Sequence, residues 1–515
     1  MRRRDFLAAS GWLFAGSVVT ACGGPRPGPI INTKSGQIQG QEIAGIHQYL
    51  GIPYAEPPFG ELRFRPPQRR APWQGVLSAQ QYGAACPQGR VSATDPLVIG
   101  EDCLNLNIWT PDPSASDLPV MVWAHGGEGD TGSGALAIYN GANFAAQGVV
   151  LVTCNRRLGA ESSLYLQPSM GADVGPGNLG VLDLAEVLRW VQEHINAFGG
   201  NPGNVTLFGH TRGAAAAQAL VATTNSAGLL QRIIPQNGAY AAHSEEQGQQ
   251  VSDFVLSELG IKRGDIDALR RCSSTQLTKL YPQLLKLGLG DPYQPVICEA
   301  MPVHPADAAH AGFGLALDYL TGSCVDVGTD RQRSAMREHQ FALAQRVLAL
   351  DSVERQTLLQ VYRRQYPELG ELQAERAILN DLSYRLPTLR VAHGHALRGT
   401  GSTYCYSFEA AVLQQRSVLE GDLAVFGNGY PAVQSETADA ISASASVSQF
   451  MRSAWCNFAR SGSPSVANFS WPEYDTRLQM TAIIDDVPQM QSGPFSQQRR
   501  VLGRVMTDSW QALGL

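Results

Sequence analysis

Thr211 carries a hydroxyl within Gly209-His210-Thr211-Arg212-Gly213, between the apolar run Asn204-Val205-Thr206-Leu207-Phe208 and an Ala-rich stretch from Gly213 to Thr223. Glycines on both sides allow a sharp turn from strand to helix that lifts this hydroxyl clear of the backbone, as a nucleophile requires. A second segment, His125-Gly126-Gly127-Glu128-Gly129-Asp130, follows the apolar run Pro119 to Ala124. Its glycines would let a carbonyl approach backbone N–H groups, whereas Glu128 and Asp130 would oppose a developing negative charge. Acyl transfer also needs a His base and an acid that orients it. Thr211 is an awkward nucleophile, because its methyl stiffens χ1 and crowds a turn of unfavourable backbone conformation. The ten histidines are His47, His125, His194, His210, His243, His304, His310, His339, His393 and His395, so the last 120 residues hold none.

These residues need a scaffold, and its pattern is legible. The runs Pro119 to Ala124, Val149 to Thr153 and Asn204 to Phe208 read as buried strands, and Asn178 to Phe198 reads as a helix ended by Gly199-Gly200. Strand, glycine turn and helix in succession is the parallel α/β arrangement. Residues 243–320 and 335–395 read as mostly helical, and 400–480 as mixed strand and loop. The chain has 515 residues, 44% hydrophobic and 16% charged, which suits a large buried core and not a disordered polymer. Its net charge of −6 comes without long like-charge runs, which argues against a nucleic-acid surface. Nine cysteines without a CxxC pair argue against both a disulfide scaffold and a structural zinc site. Residues 1–22 read as an export leader: Arg3-Arg4-Asp5-Phe6-Leu7 looks like a twin-arginine signal, and Val19-Thr20-Ala21-Cys22 resembles a bacterial lipobox with Cys22 as the lipidated residue. Residues 23–29 form a short tether, and 30–515 read as one domain.

Four longer segments resemble the type-B carboxylesterase/lipase family, the cholinesterase-like α/β-hydrolases. They are Leu50-Gly51-Ile52-Pro53-Tyr54-Ala55-Glu56-Pro57-Pro58, Glu101-Asp102-Cys103-Leu104-Asn105-Leu106-Asn107, Phe198-Gly199-Gly200-Asn201-Pro202-Gly203-Asn204-Val205-Thr206 and Asn457-Phe458-Ala459-Arg460-Ser461-Gly462. The resemblance implies an α/β-hydrolase fold, with a large, mostly parallel central sheet flanked by helices and carrying helical insertions. It also implies a disulfide between Cys86 and Cys103, of about 3 kcal/mol in the chain-entropy view; the pairing of Cys154, Cys272, Cys298, Cys324, Cys405 and Cys456 stays open.

Laid on the family pattern, the catalytic positions depart from it. Thr211 stands where the family has Ser in G-E-S-A-G, with His210 and Arg212 beside it. Gly126, Gly127, Glu128 and Asp130 occupy the oxyanion loop, where the family continues with glycine and apolar residues. Arg333 stands where the family has its acid, with Asp330 or Asp326 as substitutes nearer the strand. The base should precede Val425-Phe426-Gly427, but that stretch offers Glu420 and no His. Because triad members act as a unit, such losses remove most of the rate. The expectation is a protein of the cell envelope, tethered by an N-terminal lipid, that has lost serine-esterase chemistry and binds a small-molecule or protein ligand. The alternatives are an enzyme repurposed for elimination or isomerisation and a weak esterase using Thr211. No cofactor or metal is expected, since His125, Glu128 and His210 match no recognised ligand spacing. Glu128, Asp130, His210, Arg212 and Arg333 are expected to close into a charged cluster, with Arg212 or Arg333 against Glu128 or Asp130.

Overall fold

A computed structural model describes residues 24–89, 97–127, 131–238, 241–324, 352–367, 370–410, 424–427 and 438–506. The leader with Cys22, Glu128, Asp130, Arg333 and Glu420 lie outside the described residues, as do Asp326, Asp330 and His339.

Among the described residues, thirteen strands join in one sheet. The first five are β1 (Arg26–Thr33), β2 (Gly36–Ile43), β3 (Ile46–Pro53), β4 (Val76–Ser78) and β5 (Asn105–Thr110). The middle of the sheet holds β6 (Leu118–Ala124), β7 (Val150–Cys154), β8 (Gly200–His210) and β9 (Arg232–Gln236). It continues through β10 (Asp318–Cys324) and β11 (Thr403–Phe408) to β12 (Met480–Ile484) and β13 (Gln489–Ser492). Their order is β1-β2-β3-β5-β7-β6-β8-β9-β10-β11-β12-β13, with β4 beside β2. The seven strands from β7 to β12 run parallel, and antiparallel strands finish both edges. This is the α/β-hydrolase architecture that the sequence implied.

The middle strands are parallel because they are covered on both faces. Every residue of β7, and all of β6 after Leu118, is buried, the continuous apolar run that a two-sided core requires. On one face lies helix α1 (Leu179–His194), which packs Leu184, Val187, Leu188 and Val191 against Val120, Val122 and Val205. Gly199, at φ 85°, ends the following turn in the left-handed conformation that glycine tolerates best. Helix α2 (Arg212–Val221) follows β8, and its alanines keep it close to the sheet. Helices α3 (Leu386–Arg398) and α4 (Ala438–Ser461) flank the later strands, with Trp455 of α4 reaching Gln236 at the end of β9. The expected strands and the helix after Asn178 appear, β8 being longer than the run that announced it. Three readings are corrected: the expected tether is already strand from Arg26, where it pairs with β2; 243–320 is helical only in separate segments, up to Leu287 and in a short turn at Pro305–Asp307; and 400–480 holds the long helix α4. Residues 335–351 of the second helical stretch lie outside the described residues.

Two features of the core bear on the site. Asp183 of α1 and Arg157, just after β7, form a fully buried ion pair. The Arg157 Nε donates to Asp183 Oδ2 at 2.9 Å, its Nη2 to Oδ1 at 2.6 Å, and its backbone N–H to Oδ2 at 2.9 Å. Cys86 and Cys103 are both buried and both free thiols in the structure, so the implied disulfide is not formed there. The Cys86 thiol donates to Arg156 O at 2.8 Å, and burial pushes its pKa up.

Candidate functional site

The turn between β8 and α2 is built as the sequence suggested. Thr211 sits at φ 48°, ψ −110°, a conformation that a β-branched residue adopts only under strain. Its N–H donates to Gln236 O at 3.0 Å, and its carbonyl accepts from Ala215 in α2, so both neighbours hold it there. The glycines on either side have no room for a side chain. A Cβ on Gly213 would lie 1.9 Å from Ala124 O, and one on Gly209 would lie 2.7 Å from the same oxygen. Gly126 rests directly on the turn, since its Cβ would stand 2.8 Å from both Thr211 Oγ1 and His210 O. Gly127, at φ 149°, is equally confined, by Thr131 O. Hydroxyl, glycine loop and helix N-terminus therefore do meet.

Register fixes what else arrives at this edge. Ala124 of β6 pairs with Cys154 of β7 on one side and with Gly209 of β8 on the other. Two residues further along each chain stand Arg156, Gly126 and Thr211, side by side at the carboxyl ends of three adjacent parallel strands. Such strand ends are where open α/β sheets bind ligands. Arg156 is only 8% exposed, its Nε is enclosed, and its guanidinium makes no hydrogen bond or ion pair among the described residues. Burial, with the nearby charge of Arg212 adding to it, holds the Arg156 guanidinium below its ordinary pKa.

The two histidines at this edge are poor bases. Burial pushes His125 down to about 3, with the charge of Arg156 adding to the effect. Burial alone pushes His210 to about 3. A general base works best with a pKa near the operating pH. The His125 Nδ1 lies 2.7 Å from Gly126 O, so this ring braces the glycine loop. No histidine nitrogen is hydrogen-bonded to Thr211 Oγ1 among the described residues. The last histidine, His395, lies at the opposite end of the sheet, where its Nδ1 is 2.8 Å from the Thr403 hydroxyl at the start of β11.

Of the expected cluster, Arg212 is the charged member whose partner is described, and that partner is Asp291. The expected pairing of Arg212 or Arg333 with Glu128 or Asp130 falls on residues outside those described; within them a carboxylate from a distant loop, itself accepting from Tyr293 N–H at 3.1 Å, meets Arg212 at the first position of α2. Asp291 gave no signal in the sequence. Arg156 gave a faint one, since Arg156-Arg157 places two cations immediately after a buried strand. No group of metal-binding side chains occurs among the described residues.

The carboxylesterase family model matches residues 27–502. The para-nitrobenzyl esterase of Bacillus subtilis (strain 168) is 33% identical over 492 residues, spanning 92% of this chain and 98% of that protein. Carboxylesterase 1D of Mus musculus is 30% identical over 89% of this chain and 90% of its own. Among solved structures, a PNB esterase and a carboxylesterase of Geobacillus stearothermophilus each give a TM-score of 0.80 at 30% identity, over 92% of this chain and 99% of theirs.

Proposed function

The chain belongs to the carboxylesterase family, and from that premise we propose that it keeps the family's fold and strand-end pocket to bind a ligand, without serine-esterase turnover. The observation that carries this reading is the position of the histidines. β11 ends at Phe408, and every residue after it, to 515, is something other than His, so the loop that supplies the base in the family has none to supply. His395 stands at the wrong end of β11, and the two imidazoles beside Thr211 are held neutral by burial. The hydroxyl is also on the wrong residue, because Thr211 must carry an extra methyl in a strained turn pressed against Gly126.

Loss of a triad base alone lowers turnover by roughly 10⁴ or more. Purified protein should give no burst with para-nitrophenyl butyrate and no labelling by a fluorophosphonate probe. Thr211→Ser should remain silent, since it restores the hydroxyl without the base. Stoichiometric labelling of wild-type protein at Thr211 would refute the proposal.

A further inference from the structure

Thr211 is only 9% exposed, so a molecule that reaches its hydroxyl has to pass whatever covers the turn. Part of that cover is described. Leu287-Gly288-Leu289-Gly290-Asp291-Pro292-Tyr293 leaves the helical turns Tyr281–Leu284 and Leu285–Leu287 and meets the first residue of α2, next to Thr211. Gly288 and Gly290 stand at φ 71° and 75°, left-handed backbone that bends the chain twice within three residues. A Cβ on Gly288 would meet nothing within 4 Å, so no packing holds that bend in place. Beyond Tyr293 the chain is fixed. Asn178 bonds both the N–H and the carbonyl of Val296 at 2.8 Å, and the His243 backbone bonds Pro295 O and Ile297 N–H, each also at 2.8 Å. Between Leu289 and Pro292, by contrast, two polar contacts reach the rest of the described molecule. One is long, from Leu289 O to His243 Nε2 at 3.4 Å. The other is the ion pair of Asp291 with Arg212.

That ion pair is made to open. Asp291 Oδ1 accepts from Tyr293 N–H at 3.1 Å, which leaves Oδ2 for the guanidinium. The two side chains are 25% and 18% exposed, so water and salt reach the pair, and it can part without leaving a charge enclosed. Arg157 and Asp183, 1% and 0% exposed, have no such freedom. Arg212 also stands where the family motif has alanine, so one half of the pair belongs to this chain and not to the shared fold. We propose that Gly288–Tyr293 is a strap held closed over the Thr211 turn by the Arg212–Asp291 ion pair, and that parting this latch admits the ligand. The inference rests on the ligand-binding reading above and adds how access to that site is controlled.

The test needs no ligand. In a Thr211→Cys background, the rate at which N-ethylmaleimide alkylates position 211, read at that peptide by mass spectrometry, reports access to the turn. Cysteine lacks the branching that strains Thr211, so the turn accepts it. Trypsin cleavage after Lys286, exposed at the base of the strap, reports opening in the otherwise unaltered chain. Arg212→Ala and Asp291→Asn should each raise both rates about threefold or more, with the urea midpoint little changed. The two substitutions alter the local charge in opposite directions, so a rise in both reports the strap and not the reactivity of the thiol. Sodium chloride at about 0.5 M should raise both rates in the parent chains and lose that effect in the two variants. Arg263→Gln, which breaks the exposed pair with Asp253, should leave both rates within about twofold of the parent. Cleavage that rises without faster labelling at position 211 would show that the strap opens away from the site, and unchanged rates would show that Asp291 holds nothing shut; either overturns the inference. If Arg212→Ala fails to fold, Asp291→Asn and the salt response of the parent chains decide alone. Fluorophosphonate labelling of wild-type Thr211 defeats the proposed function and leaves these rates untouched, so the two readings fail separately.

Discussion

Arg156 and Arg157 are neighbours in sequence, both buried beyond the end of β7, and they live in opposite electrostatic worlds. Arg157 spends its guanidinium on Asp183 and on Arg65 O at 2.6 Å. The Arg156 Nε is enclosed with no hydrogen-bond partner among the described residues. The difference lies in what faces them. α1 crosses one face of the sheet and delivers Asp183, whereas the edge above Arg156 is formed by a glycine loop and a helix N-terminus, which bring partial positive charge.

The comparison breaks most violently at Asp183. Asp183→Asn would leave the Arg157 cation enclosed without its carboxylate, and breaking one side of a buried pair costs about 3–5 kcal/mol. Urea unfolding should show that loss, with a large fall in midpoint at similar slope. A change below about 1 kcal/mol would mean that Arg157 is no more anchored than Arg156, and the contrast between the two would collapse.

How far the sequence could see follows the same division. The strands, the glycine turn and the helix after it were legible because they depend on local apolar runs and on glycines that tolerate no Cβ, as at Gly209 and Gly213. Thr211 and Gly126–Gly127 were legible for the same reason, since each follows directly from a strand end. Asp291 was invisible: it reaches Arg212 from a loop some eighty residues away, and no periodicity announces such a contact. Arg156 and Arg157 look identical in the sequence, and only the register of β6 and β7 and the path of α1 separate their roles.

The field of Arg156 offers a second way to sharpen the contrast. Burial and Arg156 together lower His125 from the ordinary 6.5 to about 3, while burial alone lowers His210. Arg157, cancelled by Asp183, takes no part. The unfolded chain binds protons on these imidazoles once pH falls below 6.5, and the folded chain does not until about 3. Their contribution to stability is therefore complete above pH 6.5 and declines as pH falls from 6.5 towards 3, by up to about 1.4 kcal/mol per pH unit for each group. Denaturant midpoints between pH 7 and pH 4 should show that slope. In an NMR titration, Arg156→Met should raise the His125 pKa and leave His210 unmoved. An equal shift at both would show that Arg156 acts through packing and not through its charge.

The smallest expected effect is the most telling, because its sign is opposite to that at Asp183. Arg156→Met removes an uncompensated charge and replaces it with a flexible apolar chain that can fill the same space. The variant should be as stable as wild type or more stable by about 1 kcal/mol, since apolar replacement of poorly compensated buried charge is neutral or stabilising. If Arg156→Met instead loses more than about 2 kcal/mol, the guanidinium is structural after all, and Arg156 belongs with Arg157 among the groups that hold the fold together.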